Sequence, residues 1–174
     1  MTVQNIIERL EEQPLTQDDL KKFNYPQKVR HIYYSQISQY KTLEELLDGA
    51  TGVIILIENP NGSIGHFVAL QIINGFIEFF DPYGNTLEKV LSLLELKNNS
   101  LIMLIKKSKY RYYYNTYQFE KYSNRTQTCG RWCVCRLYFP KLDFKQFSNI
   151  LKYKRLPKDE LVVLLTFLNL HYFN

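Results

Sequence analysis

All three cysteines of this chain lie within one short segment, at Cys129, Cys133 and Cys135. An odd number of cysteines this close together cannot staple distant parts of a chain, so we do not expect a disulfide framework. The C-x3-C-x-C spacing lacks the C-x2-C knuckle of zinc sites, and no histidine follows until His171. The pattern therefore favours one reactive thiol with two bystanders, and neither a metal nor a cofactor.

Cys129 is the candidate for the reactive thiol because a predicted helix over residues 129–138 begins at it and stops before Pro140. A sulfur at a helix N-terminus lies among unpaired backbone N–H groups, which favour the thiolate. Gly130, directly behind it, would let the backbone approach a substrate carbonyl and donate to a developing oxyanion. We interpret Cys133 and Cys135 as small core residues.

A cysteine nucleophile needs a base, and the chain contains only three histidines, His31, His66 and His171. His66 follows Gly65 at the start of a predicted central strand, where a side chain can project from the rim of a sheet into a cleft. His31 and His171 are interpreted as surface or core residues. We expect His66 to be the base, and a purely structural role for it stays open at this stage.

Asp81 is the candidate that would orient the imidazole of His66. A two-residue turn at Asn74-Gly75 places Tyr83 directly opposite His66 in a predicted hairpin. Asp81, two residues earlier, then lies on the same face of the sheet and diagonal to His66. It could accept a hydrogen bond from the ring and fix its tautomer, although Asp81-Pro82 could also simply begin a turn.

Periodicity and capping signals predict the elements that must position these side chains. Helices are predicted over residues 2–13, from Thr16, after Thr42, and over residues 86–95, 129–138, 143–151 and 157–170. Strands are predicted over residues 52–57, 66–73, 76–80 and 101–105. The prediction is an α+β domain with a central, mostly antiparallel sheet flanked by helices.

Composition limits the class of protein. With 174 residues and 45% hydrophobic content, the chain can bury one sizeable core, so we expect a single domain over residues 1–174. No apolar run approaches the roughly 20 residues that a membrane span needs. The first 15 residues are acidic and amphipathic, unlike a signal peptide, and we expect a reducing compartment.

A basic run contributes to the net charge of +5 and consists of Lys106, Lys107, Lys109 and Arg111. Tyrosines interleave with these cations, so the run could pair with phosphates and stack on bases. The alternative interpretation is a solvated strand at the edge of the sheet.

Three motifs together resemble a known family: Gly65-His66-Phe67, then Phe80-Asp81-Pro82-Tyr83-Gly84, then Thr128-Cys129-Gly130-Arg131-Trp132. Over about residues 14–140 the chain resembles the adenovirus-protease and ubiquitin-like-protein-protease superfamily of cysteine peptidases, most closely the capsid-maturation proteases of virophages and Polinton-type elements. The resemblance implies a papain-related, circularly permuted fold and a catalytic triad of His66, Asp81 and Cys129. It also implies cleavage after small residues, typically at Gly-Gly or Gly-X sites, with substrate contacts from Gly65, Phe67, Gly130 and Trp132.

The chain departs from this pattern at two places. Phe67 stands where the family usually has tryptophan, so an aromatic wall remains but the indole N–H is lost. The oxyanion-hole glutamine usually lies some residues before the cysteine, and we assign it to Gln118, which is farther from Cys129 than is usual in the family. Asn124 and Gln127 remain alternatives for this role.

The sequence thus predicts a cysteine endopeptidase that processes capsid or other structural precursor proteins. The alternatives are an isopeptidase acting on a ubiquitin-like or SUMO-like host modifier, and a nucleic-acid-binding module that uses the basic run. The adenovirus relatives suggest DNA as a nonspecific partner, and with it a place of action in the virion and in the viral factory of the host-cell cytoplasm. We expect a monomer that does not bind membranes.

Overall fold

The computed structural model describes residues 2–123, 126–152 and 156–172. Its centre is one five-stranded sheet in the order β1-β2-β3-β4-β5. The strands are β1 (Val29–Tyr33), β2 (Gly52–Glu58), β3 (Gly65–Ile73), β4 (Phe76–Phe80) and β5 (Arg111–Tyr114). The predicted central strands pair antiparallel, whereas both edge strands pair in parallel with their neighbours. The α+β fold class is as predicted.

Eight α-helices surround the sheet in the described parts of the chain, and a 3-10 helix covers Tyr34–Gln39. They are α1 (Val3–Glu12), α2 (Gln17–Leu20), α3 (Leu43–Leu47), α4 (Leu87–Leu93), α5 (Ser100–Lys107), α6 (Cys129–Tyr138), α7 (Phe144–Ile150) and α8 (Lys158–Tyr172). The predicted caps are present, since the hydroxyls of Thr16, Thr42 and Thr86 each accept an N–H of the first turn. None of the helices in these residues is long and apolar enough to cross a membrane.

The β3–β4 hairpin has the predicted register. Asn74 and Gly75 adopt positive φ angles of 50° and 78°, as the favoured two-residue turn requires. Ile73 pairs with Phe76, and Ala69 pairs with Phe80. This register brings the strand that begins at His66 alongside the strand that leads to Asp81.

Alternating side chains of the strands build two cores, one on each face of the sheet. Ile55 and Val68 pack on one face with α3, α4 and α5. Ile54 and Ala69 point to the other face, where they pack with α2, α6, α7 and α8. The helix that begins at Cys129 is therefore seated directly on the central strands.

The predicted strand over residues 101–105 is wrong, because these residues form most of helix α5. A short apolar run does not reveal its period. In the structure, Leu101, Leu104 and Ile105 are buried while Met103 is exposed, which is helical spacing. The Asn98 side chain also accepts the backbone N–H of Ser100 at 2.8 Å, just where the helix begins.

A buried ion pair fixes the C-terminal half of α6 to the sheet. The Arg136 guanidinium donates from Nε and from one Nη to the two carboxylate oxygens of Glu78, at 2.7 Å each. The same carboxylate accepts from Gln71 and from the Tyr113 hydroxyl. The remaining Arg136 donors reach backbone carbonyls, so the cluster is saturated and holds α6 in one orientation.

Candidate active site

An open cleft of about 950 Å³ runs over the ends of β3 and α6. Cys129, His66 and Tyr83 line its polar part, while Ile64 and Leu93 supply exposed apolar surface. Gly65 and Phe67, two of the residues predicted to contact substrate, also line it. The cleft contains titratable side chains suited to acid–base chemistry, which makes it the candidate active site.

His66 and Asp81 form a buried pair at the end of the hairpin. The imidazole Nε2 lies 2.5 Å from Asp81 Oδ1, and the Asp81 side chain is fully buried. The other carboxylate oxygen accepts the backbone N–H and the side-chain amide of Asn85, at 2.7 and 2.9 Å. Asp81 is thus held on both oxygens, and it fixes the orientation of the ring.

Cys129 is the first residue of α6 and is partly exposed. Burial opposes protonation of His66, but hydrogen bonds to Asp81 and Cys129, and the charges of both groups, raise the pKa of His66 to about 10. Because Nε2 is used by Asp81, the ring nitrogen left for the thiol is Nδ1. The raised pKa therefore favours the imidazolium form of His66 beside the Cys129 sulfur.

An aromatic stack covers one side of this pair. The Tyr83 ring lies on the His66 ring with centroids 5.2 Å apart, and the Tyr122 ring lies on Tyr83 at 4.3 Å. The Asn85 amide links Asp81 to the Tyr122 hydroxyl, at 3.4 Å from the latter. This stack shields the His66–Asp81 hydrogen bond from water and keeps the ring from rotating.

Two buried carboxylates organise the segment just before Cys129. Glu120 accepts the backbone N–H of Thr128 at 2.9 Å. Asp159, in the first turn of α8, accepts the Thr128 hydroxyl at 2.7 Å and the Trp132 indole N–H at 2.8 Å. These bonds fix the N-terminus of α6 and hence the position of its first residue.

The other two cysteines differ from Cys129 in their surroundings. Cys133 and Cys135 are buried free thiols in the core between α6 and the sheet. Burial raises the pKa of Cys135 to about 12 and that of Cys133 well above its ordinary value. Of the three sulfurs, only Cys129 lines the cleft.

Gly130 and Trp132 do not line the cleft, although the sequence predicted substrate contacts for both. A Cβ at Gly130 would lie 3.2 Å from the Phe67 ring and 3.5 Å from Leu15 Cβ, so this glycine allows α6 to pack closely on β3. Trp132 is fully buried in the core. The structure therefore gives both residues packing surroundings inside the protein.

Gln118 does not line the cleft that contains Cys129. The Gln118 side chain is exposed, and its amide donates to the backbone carbonyl of Glu120 at 2.9 Å. Gln127 is exposed and lines the cleft. The third candidate, Asn124, lies outside the described residues. Among the described hydrogen bonds, none joins Gln118 or Gln127 to the thiol.

The remaining predicted residues lie elsewhere. His31 is in β1, where burial lowers its pKa to about 4, and its ring is 3.3 Å from the Tyr25 hydroxyl. His171 is exposed on α8. The basic run spans the last turn of α5 and the start of β5, and all four of its cations are exposed.

Sequence reasoning missed Asn85, Glu120 and Asp159 as parts of the site. Asn85 follows Asp81 at turn spacing, and this proximity could have identified it. Asp159 stands in the first turn of a predicted helix, a position that usually indicates only a favourable helix dipole. Nothing in the local sequence distinguishes Glu120 from an exposed loop residue.

Solved structures with a similar fold include a viral protease and a domain of a bacterial protein. No protein-family model matches the chain. The fold is similar to that of the African swine fever virus pS273R protease ("ASFV pS273R protease"), with 14% identity and a TM-score of 0.48 over 91% of this chain and 68% of that one. It is also similar to the central domain of the uncharacterized Lpg1148 protein from Legionella pneumophila, with 13% identity and a TM-score of 0.45 over 88% of this chain and 94% of that one.

A virophage protein is similar to this chain in sequence. Uncharacterized protein V9 of Sputnik virophage is 32% identical over 152 residues, which cover 80% of this chain and 86% of V9. An identity of this size over most of both chains indicates common descent and a common fold. The chain therefore belongs to the same protein family as protein V9 of Sputnik virophage.

Proposed function

We propose that this protein is a cysteine endopeptidase of a virophage-type virus, with Cys129 as nucleophile, His66 as base and Asp81 as its orienting partner. One observation carries the proposal: a partly exposed cysteine at the start of a helix shares an open cleft with a buried histidine–aspartate pair. A solely structural histidine would not need a carboxylate on one ring nitrogen and a helix-tip thiol beside it.

In the proposed reaction, the Cys129 thiolate attacks the carbonyl carbon of the scissile peptide bond. The carbonyl electrons move to its oxygen, and the imidazolium of His66 then gives its proton to the leaving amine as the C–N bond breaks. Water, deprotonated by the neutral His66, attacks the resulting thioester; the C–S bond breaks, and Cys129 leaves as the thiolate beside the imidazolium. Asp81 stays ionised throughout and stabilises the imidazolium.

The oxyanion of each tetrahedral intermediate needs hydrogen-bond donors in front of the sulfur. The backbone N–H of Cys129 is one proposed donor, because the first N–H groups of a helix have no partner within it. The sequence assigned the side-chain donor to Gln118, whose amide would have to leave the Glu120 carbonyl to serve. Gln127 already lines the cleft and would need a smaller movement.

We propose a viral structural precursor, such as a capsid protein, as the substrate, cleaved after small residues at Gly-Gly or Gly-X sites. The common family with the virophage protein supports a viral substrate. The exposed apolar side chains of Ile64, Leu93 and Tyr122 around the cleft suit an extended peptide with hydrophobic residues away from the cleavage point.

The test is cleavage of the candidate capsid precursors by the purified protein, followed by sequencing of the new termini. We expect discrete products with a small residue before each cut, and none with the Cys129→Ala variant. A parallel assay on ubiquitin- and SUMO-linked reporters separates this proposal from an isopeptidase. If the reporters are cleaved and the capsid precursors stay intact, the protein is an isopeptidase and the endopeptidase proposal is wrong.

DNA is proposed as an additional partner, which would concentrate the enzyme near a substrate inside a particle. The observation in favour is the exposed basic run, whose four cations form no ion pair with any described acidic residue. Phosphates would be its ligands, without sequence preference.

A further inference from the structure

Glu120 is a buried acid in the active-site cleft to which the triad gives no role. Only 1% of its surface is exposed, and it lines the cleft together with His66 and Cys129. Its backbone N–H donates to the carbonyl of Pro82 at 3.0 Å, and its Oε1 accepts the Thr128 N–H at 2.9 Å. The side chain is therefore held in one position beside the residue that precedes the nucleophile.

The second carboxylate oxygen of Glu120 is buried and has no hydrogen-bond partner among the described residues. Burying a polar atom without a partner is costly, and the cost is larger when the group is charged. Unsatisfied polar atoms in folded proteins accordingly call for a functional explanation. Glu120 lines the cleft, so a substrate atom that enters the cleft can supply the missing partner.

The charges around Glu120 favour its neutral form. Burial raises the pKa of Glu120 to about 7, and the negative charge of Asp159 adds to the rise. The hydrogen bond from Thr128 and the positive charge of His66 act in the opposite direction. A neutral carboxylic acid carries one O–H donor, which the ionised group lacks.

Tyr83 is a titratable neighbour of Glu120 in the cleft. Burial, then the charges of Glu120 and Cys129 and a hydrogen bond with the Glu120 side chain, raise the pKa of Tyr83, so this phenol stays neutral. Ionising Glu120 would place a second buried negative charge near that of Asp159, and the positive charge of His66 opposes this cost only in part, since the pKa of Glu120 stays raised.

We propose that Glu120, as the neutral acid, donates a hydrogen bond from Oε2 to the oxyanion that forms when Cys129 attacks the substrate carbonyl. This inference rests on the proposed peptidase function and assigns the side-chain oxyanion donor to Glu120 in place of Gln118 or Gln127. Glu120 keeps its proton throughout, so no proton transfer is involved. The Oε1 bond to Thr128 fixes the carboxyl group, which provides a preorganised donor.

The experiment compares two reactions of the same thiol in the full-length protein. Acylation of Cys129 by p-nitrophenyl acetate passes through a tetrahedral oxyanion, whereas alkylation by iodoacetamide does not. Both reactions need the thiolate. The ratio of the two rates at each pH therefore isolates the oxyanion donor from the titration of Cys129 and His66.

We expect the ratio to fall in the wild type as the pH rises through about 7, since the donor is present below the pKa of Glu120 and lost above it. Glu120→Gln keeps an uncharged donor of the same shape, so its ratio should be independent of pH and close to the low-pH value of the wild type. Glu120→Ala should lower the ratio about 10²- to 10³-fold with little change in alkylation.

A pH-independent ratio in the wild type would overturn the proposal, even if Glu120→Ala does not fold. A Glu120→Gln variant that acylates as slowly as an alanine variant would overturn it too. If Cys129 of the folded wild type is alkylated but never acylated, the proposed peptidase function fails, and this proposal fails with it. If acylation is normal and the ratio is unaltered in both variants, the proposed role of Glu120 is wrong, while the proposed peptidase function is not affected.

Discussion

Two buried ion pairs occupy opposite ends of the same structural unit, the β3–β4 hairpin with α6 packed on it. At one end, Glu78 and Arg136 are both fully buried, and the guanidinium and the carboxylate satisfy each other. At the other end, Asp81 is saturated, but His66 has one ring nitrogen left and borders the cleft. A saturated pair can only hold the structure together, whereas an unsaturated one can do chemistry.

The helix connects the two pairs. Cys129 and Arg136 are its first and eighth residues, so a shift of α6 that loosened the Glu78 pair would also move the sulfur away from His66. The predictions below separate stability from catalysis at the two ends.

Cys129→Ala gives the largest expected effect. It removes the proposed nucleophile, so turnover should fall roughly 10⁶-fold. His66→Ala should come close to the same loss because the two residues act as one unit. Urea titration followed by circular dichroism should give Cys129→Ala nearly the wild-type denaturant midpoint and His66→Ala a lower one, because the latter leaves the buried Asp81 without its partner.

The matched controls for this test are Cys133→Ala and His31→Ala. Each removes the same kind of side chain outside the cleft, and each should leave kcat within a few-fold of wild type while lowering stability modestly. Equal loss of activity in Cys129→Ala and Cys133→Ala would indicate a redox or metal site. Loss of activity in a folded His31→Ala variant would mean that the proposed triad is wrong.

Asp81→Asn should cost less than His66→Ala, up to about 10⁴-fold in kcat, because an amide can still orient the ring but stabilises imidazolium poorly. The pKa of His66 supplies a second readout. Asp81 and Cys129 raise it, so Asp81→Asn and Cys129→Ala should each lower it from about 10, as measured by NMR titration of the ring. An unchanged His66 pKa in both variants would contradict the assigned pair.

Arg136→Met tests the structural pair. It leaves the Glu78 carboxylate buried without its cation, and the free energy of unfolding should fall by about 3–5 kcal/mol. Adding Glu78→Gln should restore part of the loss, since the second change removes the orphaned charge. Below the unfolding temperature of the single variant, iodoacetamide should still alkylate its Cys129. A stable but inactive variant would show that the pair acts in catalysis.

The sequence predicted the hairpin well because its determinants are local. Asn74 and Gly75 tolerate the positive φ angles of a two-residue turn, and the turn alone fixes the register that relates His66 to Asp81. The extent of α6 was likewise predictable, since the helix begins at Cys129 and ends before Pro140, as the sequence indicates. The two central features of the candidate site followed from short-range rules.

Long-range features were not predictable in this way. Strand β1 is placed at the sheet edge by parallel pairing with β2, which no turn between them specifies. The Glu78–Arg136 pair joins residues far apart in the chain, although a glutamate inside the strand Phe76–Phe80 does signal a buried partner. Glu120 enters the cleft only because its irregular segment packs on Pro82, a contact that propensity and period do not encode.

The basic run gives the smallest expected effect on catalysis, because it belongs to neither pair. Changing Lys106, Lys107, Lys109 and Arg111 to alanine should leave peptide cleavage unchanged while weakening the binding of unrelated DNA duplexes. About four phosphate contacts predict a slope of roughly −3 to −4 for log affinity against log salt concentration, and fluorescence anisotropy over a salt series measures it.

Net charge alone could produce the same loss of DNA affinity, so the variant needs a control that removes four charges elsewhere. Lys41, Lys89, Lys97 and Lys145 are exposed and lie outside the run. If the run is the binding surface, their replacement by alanine should keep most of the affinity and of the salt slope. Equal losses of DNA affinity in both variants would show that DNA binding is a general effect of the net charge of +5. Binding that does not depend on salt would contradict the proposal that DNA is a partner.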